Sequence, residues 1–285
     1  MNNGPGHQQV IARELSLEAK QVAAATELLT GGATIPFIAR YRKEATGSLD
    51  EVQIAAIRDR LARLAELDKR RQAVLESLAE RNLLTDELER QVQAAPTLTI
   101  LEDLYLPFRP KRRTRGMIAR EKGLEPLAKS IYAQDGRPLA ADRFLDPAKG
   151  LESEEEALAG ARDIIAEWLN ENAAIRDQLR RLFAAKALVG SQVVKKNEAE
   201  GGKFRDYFDW QEPAAKIPGH RLLAIYRGEQ EKVLTVTVRP PEEEALRLLV
   251  RQQVKRRDAA GQQVALAAEE AYKRLLAPSL ENELR

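Results

Sequence analysis

The stretch from Leu49 to Arg81 constrains the fold most. Ile57, Leu61, Leu64, Val74, Leu75 and Leu78 recur there at helical intervals of three and four residues. That period lines them up on one stripe of a long helix, which must bury the stripe against other elements. Ser48-Leu49-Asp50-Glu51 reads as a capping box at its start, with the Ser48 oxygen placed to accept from the Glu51 amide. The stripe is interrupted around Asp68 to Arg71, which argues against a continuous coiled coil and for a helix packed on other helices.

The rest of the chain follows the same pattern. Residues 8–30 read as a short helix and a longer one, with Ser16 as cap of the second and Val22, Ala25, Leu28 and Leu29 as its apolar face. Gly31-Gly32 ends it. Pro36 opens a short helix in which Phe37, Ile38 and Tyr41 are spaced to bury one side, leaving Arg40, Arg42 and Lys43 as a basic face. Thr85 caps a further helix that stops at Ala95-Pro96, and Thr97 or Thr99 caps the next. Met117 to Lys122 form a short helix closed by Gly123, and Pro126 starts another. This passage resembles a helix-turn-helix, although any helical corner with glycine gives the same pattern.

Ser153 and Glu156 form a second capping box, opening a helix to about Asn170. Another runs from about Ala174 to Leu188. KVLTVTV (232–238) alternates and is β-branched, the one strand the sequence announces. Residues 242 to about 275 are helical, and SLENELR reads as a new helix starting. Ala, Leu, Glu and Arg, all good helix formers, dominate the composition. The expected fold is mainly α: an elongated multi-helix bundle with a helix-turn-helix-like segment and at most a short β element near 232–238.

Several classes of chemistry are excluded or disfavoured. With no cysteine there is no disulfide, thiolate metal site or cysteine nucleophile. The two histidines, His7 and His220, have no carboxylate partner at readable spacing. Neither glycine pair has phosphate-loop spacing, and ESEEE (152–156) is explained by helix capping. No nucleophile, base and orienter come together in the pattern. No enzyme activity, metal or cofactor is expected. No uncharged run approaches the roughly 18 residues of a membrane span, and MNNGPGHQQ has no apolar signal segment. The reading is of a cytoplasmic protein with no membrane partner.

Charge is concentrated in one place. Between Arg109 and Lys122 lie seven basic residues (Arg109, Lys111, Arg112, Arg113, Arg115, Arg120 and Lys122) and one acid, Glu121, a local net charge of +6 in a chain of +2. Pro107 and Pro110 interrupt any helix here and push Leu106 and Arg109 towards extended conformations. The stretch is either a solvated basic turn or a contact for a polyanion, most plausibly nucleic acid, whose phosphates match arginine forks. A second cluster, FRDYFDWQEP (204–213), gathers aromatics. It reads as a packing node between helices, with a base-stacking platform as the alternative.

Four strings, GATIPFIARYRKEATGSLDE (32–51), TLTILEDLYLPFRPKRRTRGMIAREKGLEPLA (97–128), KFRDYF (203–208) and IPGHRLLAIYRGE (217–229), resemble the bacterial Tex family of transcription accessory proteins. That family is similar in architecture to a eukaryotic Spt-class elongation factor. The resemblance implies a Tex-like N-terminal helical region over 1–195 and a central helical region over 196–285. It also implies that the chain corresponds to the N-terminal part of such a protein. Family members continue into a ribonuclease H-like domain, a helix-hairpin-helix segment and an OB-fold domain, the last regarded as the family's main nucleic-acid binder.

The resulting expectation is a non-enzymatic scaffold in transcription that binds RNA and/or DNA without reading sequence. Phosphates would meet Arg109, Lys111, Arg112, Arg113, Arg115, Arg120 and Lys122, and Arg40, Arg42 and Lys43 would extend the surface. The alternative is a protein-interaction module docking to RNA polymerase or to the downstream domains. A nuclease would need clustered carboxylates for metal, and the sequence shows none.

Overall fold

The structure, a computed structural model, describes residues 5–110, 113–199 and 201–285. The chain divides into two compact units, Met1–Phe108 and Arg109–Arg285.

In the first unit, α1 (Pro5–Leu15), α2 (Ala19–Thr30), α3 (Ile35–Tyr41) and α4 (Lys43–Thr46) surround the first half of the long helix α5 (Glu51–Glu80). α6 (Asp86–Ala94) and α7 (Leu98–Tyr105) pack on its second half. Two separate cores result. Ile54, Ile57, Leu61 and Leu64 meet Ile11, Val22, Ala25 and Ile38. Leu67, Val74 and Leu78 meet Leu88, Val92, Leu101 and Tyr105. The interrupted stripe at Asp68–Arg71 falls within the second core's stretch, between Leu67 and Val74, and polar cross-links take over there. Arg71 pairs with Asp68 and donates to the carbonyls of Val92 and Ala95, while Arg70 pairs with Glu102.

Two expected caps are placed differently. Ser16 (φ 55°) and Ser48 (φ 65°) are both left-handed, so neither has the extended backbone of an N-cap. Ser48 follows Gly47, also left-handed, whereas Asp50 is extended (φ −84°, ψ 174°). The Gln53 amide donates to Asp50 Oδ1 (2.7 Å), and the Asp50 amide donates to Gln53 Oε1 (3.0 Å). The box is therefore Asp-x-x-Gln, two residues beyond the one expected. Asp50→Ala should cost about 1 kcal/mol, and Ser48→Ala less than half of that. Hydrogen exchange of the first-turn amides of α5 measures both.

Two further corrections concern this unit. Leu106 is not extended; Leu106–Phe108 form a 3-10 turn continuing α7, and Pro107 sits within it. In α3 only Ile38 and Ala39 are buried, whereas Phe37 and Tyr41 face solvent. The helical period holds, but the face that meets the core is Ile38 and Ala39 with the partly buried Ile35 one turn before them, not the side that carries Phe37 and Tyr41.

In the second unit, α8 (Arg115–Glu121), α9 (Glu125–Ala133), α10 (Glu154–Glu171) and α11 (Ala173–Lys186) precede a small sheet. α10 is the centre: Ala157, Ala161, Ile164, Ile165 and Leu169 are buried in a core shared with α8, α9 and α14. Its N-terminus is capped as expected, by Ser153, which accepts from the Glu156 amide. β1 (Leu188–Val193), β2 (Asp209–Pro213), α12 (Gly219–Gln230), β3 (Leu234–Arg239), α13 (Glu242–Gln253), α14 (Ala259–Ala271) and α15 (Ala277–Leu284) complete the unit. The strands form an antiparallel sheet in the order β2-β1-β3, with Ser191 opposite both Trp210 and Val236.

The fold is mainly α with a short β element, as expected, and β3 is the strand the sequence announces. β1 and β2 carry no comparable signal. LVGSQV has a glycine and two polar residues, and DWQEP has a single large apolar side chain, so neither alternates visibly. β1 lies before the division expected at 195/196, yet it pairs with two strands beyond it; the compact units divide at 108/109.

The aromatic cluster is a packing node, but of the sheet rather than between helices. Phe204 is buried with Val189, Ile225, Val236 and Val238, and Tyr207, Phe208 and Trp210 pack around that core. The C-terminal helical region is broken at 254–258 rather than continuous to 275. From Ala259 onward it runs unbroken through a π turn, Tyr272–Leu276, into α15. Pro278 has no amide to give, and the widened turn just before it absorbs that loss.

Candidate nucleic-acid interface

The basic stretch is carried by α8, whose first turn Thr114 caps by accepting from the Met117 amide (3.1 Å). Gly123 (φ +90°) then turns the chain into α9, giving the helix–glycine–helix passage expected. Both helices pack on α10. The approach of α8 is close because Gly116 has no side chain: a Cβ there would fall 2.4 Å from the Glu167 carboxylate carbon. Lys111 and Arg112 lie outside the described residues.

Among the other basic residues, three are engaged within the unit. Arg120 Nη1 lies 2.6 Å from the largely buried Glu167 of α10. Arg113 pairs with Glu121 (2.6 Å), both exposed. Lys122 Nζ donates to the Gly150 carbonyl (3.0 Å). The sequence shows only Glu121 as a local acid, but the fold brings Glu167 in from 47 residues away. Arg120 and Lys122 thus fasten α8 to its surroundings. Arg109 and Arg115 are exposed and make no ion pair among the described residues.

Carboxylates ring the same helices. The Glu125 carboxyl is held below its ordinary pKa first by its bond to Lys129, then by the charges of Lys129 and Arg120. Glu156 is held down first by the backbone amides of Glu152 and Ser153, and more weakly by Lys122. An open cavity of about 300 Å³ between α8 and α10 is lined by Arg115 and Lys122 but also by Glu156 and Asp163. Its charges balance, so it offers no purely cationic seat for a small anion.

On the first unit, Arg40, Arg42 and Lys43 are all exposed. Arg40 stands 3.8 Å from Glu51, a loose contact, and Arg42 lies over the Phe37 ring. The basic patch that the sequence carries outside the expected surface, Arg251, Lys255, Arg256 and Arg257, is exposed beside the break between α13 and α14. Gln134, at the end of α9, holds that break by accepting from the Lys255 amide (2.7 Å). Only the tertiary contact links it to α9; no sequence signal does. His7, expected to lack a carboxylate partner, has one in Asp68 (2.8 Å), brought to it by the packing of α1 along α5. Among the described residues no three histidines or acids gather as a metal site, and no helix is long and apolar enough to cross a membrane.

Comparison with known proteins decides the family. A model of the Tex central region matches residues 135–285, and one of the Tex-like N-terminal domain matches 6–79. The chain belongs to the Tex family. The matched central span includes residues 239–270, where α13 and α14 lie, and the basic stretch falls between the two spans. Protein tex of Bordetella pertussis is 47% identical over 245 residues, covering 83% of this chain and 31% of that protein. Transcriptional accessory protein Tex of Neisseria gonorrhoeae is 45% identical over 233 residues, 81% of this chain and 30% of that protein. S1 RNA-binding domain-containing protein 1 of Homo sapiens is 27% identical over 237 residues, 81% of this chain and 24% of that protein. The chain thus spans under a third of the length of these relatives.

Proposed function

We propose that this Tex-family chain is a non-enzymatic, nucleic-acid-binding scaffold serving transcription, which contacts RNA or DNA through phosphates and without reading sequence. One observation carries the proposal: in a stretch where neighbouring cations are tied to carboxylates or carbonyls, Arg109 and Arg115 remain exposed and without ion pairs among the described residues. Arginines left in water keep both their charge and their forked donors for an incoming phosphate. The names of two relatives, one a transcriptional accessory protein and one an S1 RNA-binding domain-containing protein, support the same direction.

The test is a titration of the chain with labelled single- and double-stranded DNA and RNA at two salt concentrations. Arg109→Gln with Arg115→Gln should weaken binding to every sequence alike. The log–log salt slope on single strands should fall by about 1.4, two phosphate contacts at ~0.7 each. Both side chains are exposed, so the unfolding transition should not move. An unchanged slope removes these arginines from the binding surface. If the chain binds no nucleic acid yet captures RNA polymerase, the scaffold docks to protein instead.

A further inference from the structure

Phe37 and Tyr41 present a feature that the phosphate-contacting surface does not explain. They lie one helical turn apart on the outer face of α3, with ring centroids 5.5 Å apart and planes tilted by 41°. Phe37 is 40% and Tyr41 70% exposed. The chain has fourteen Phe, Tyr and Trp residues, and the other twelve are buried or half-buried. Neither ring is needed to seat α3 on its core, because Ile38 and Ala39, with the partly buried Ile35, do so. Single exposed apolar residues are ordinary, but a paired aromatic surface set among cations is a different matter.

The cations are Arg40, between the two rings in sequence, and Arg42 and Lys43 just beyond them. The Arg42 guanidinium stands 5.4 Å from the Phe37 ring centroid, so it is already positioned in a cation–π contact. Arg40 is 70% exposed, and its one carboxylate neighbour among the described residues, Glu51, is 3.8 Å away. Rings flanked by exposed positive charge match a ligand with flat π faces strung on a polyanion.

We infer that the outer face of α3 is a stacking platform for single-stranded nucleic acid. Unpaired bases stack on Tyr41 and Phe37, and Arg40, Arg42 and Lys43 take the flanking phosphates. The inference rests on the proposal that this chain binds nucleic acid, but on different residues in the other compact unit. A duplex keeps its bases stacked on one another and has none to offer, so the platform selects single strands. Every base has a π face, so it selects no sequence.

The experiment titrates the whole chain with labelled short oligo-dT, oligo-U and a matched duplex. Phe37→Leu with Tyr41→Leu should weaken binding to both single strands by ~10-fold or more, with duplex binding and salt slope unchanged. Tyr41→Trp, which keeps a ring, should retain single-strand affinity. Arg40→Gln, Arg42→Gln and Lys43→Gln together should lower the single-strand salt slope by about 2. The leucine pair binding single strands as tightly as the unsubstituted chain overturns the inference and leaves the rings as a protein contact. If Arg109→Gln with Arg115→Gln weakens binding in that case, the proposed function stands while this platform falls. If the leucine pair loses single-strand affinity and the arginine pair does not, the platform stands and the loop falls. No binding to any strand at low salt overturns both.

Discussion

Gly261→Ala is expected to destabilise the second unit by about 3 kcal/mol or more, an unusually large effect for one methyl group. Gly261 is buried in the first turn of α14, and its amide donates to Oδ1 of the capping residue Asp258 at 2.9 Å. A Cβ would lie 1.8 Å from the Arg256 carbonyl oxygen and 3.0 Å from its carbonyl carbon. Those are backbone atoms, and their own segment is anchored. Gln134 accepts from the Lys255 amide and donates to the Gln253 carbonyl, both at 2.7 Å. The chain cannot retreat without releasing α9, and α14 cannot shift without opening the core it shares with α10.

Gly160→Ala provides the contrast. Its Cβ would lie 2.3 Å from Leu124 Cδ1, the end of a side chain that can change rotamer, so the cost should be about 1–2 kcal/mol. Gly202→Ala, with nothing within 4 Å, should be near neutral. Both tryptophans, Trp168 and Trp210, belong to this unit, so urea unfolding followed by their fluorescence reports on it separately. A loss below about 1 kcal/mol for Gly261→Ala would mean that the turn relaxes freely.

What the sequence makes legible is local. Thr85, Thr97 and Ser153 cap the helices expected of them, because a cap is decided by a side chain and an amide two or three residues away. Ser48 misleads because its backbone is set by the left-handed Gly47 before it, and cap composition does not reveal φ. β1 is invisible for a different reason. Its stability comes from two neighbouring strands distant in sequence, one on each side, and a central strand needs little alternation of its own.

The candidate surface shows the same limit. A local charge of +6 is plain in the sequence, but Glu167, 47 residues beyond Arg120, is not. Burying Glu167 beneath α8 needs a cation, and Gly116 provides the room, so part of the basic stretch serves packing. Conversely, the helical period of Phe37 and Tyr41 suggests burial. Period places residues on a common face without saying which way that face looks.

Glu281→Leu is expected to cost about 2–4 kcal/mol. β3 is an edge strand, paired only with β1, so its outward amides have no strand to bond. Glu281 of α15, 8% exposed, supplies the missing acceptor: Oε1 takes the Val238 amide (2.7 Å) and Oε2 takes Arg239 Nε (2.5 Å). Leucine would leave the amide of a buried residue without a partner, which is the costly half of the loss. Arg239→Gln leaves the buried carboxylate without its cation but keeps an amide donor beside it, so it should cost less, about 1–2 kcal/mol. Glu281→Gln keeps an acceptor for Val238 and should fall between the two. Hydrogen exchange separates these contributions: the Val238 amide should exchange much faster in Glu281→Leu and nearly as before in Arg239→Gln. If it stays protected in Glu281→Leu, the edge of the sheet is held by something other than this carboxylate.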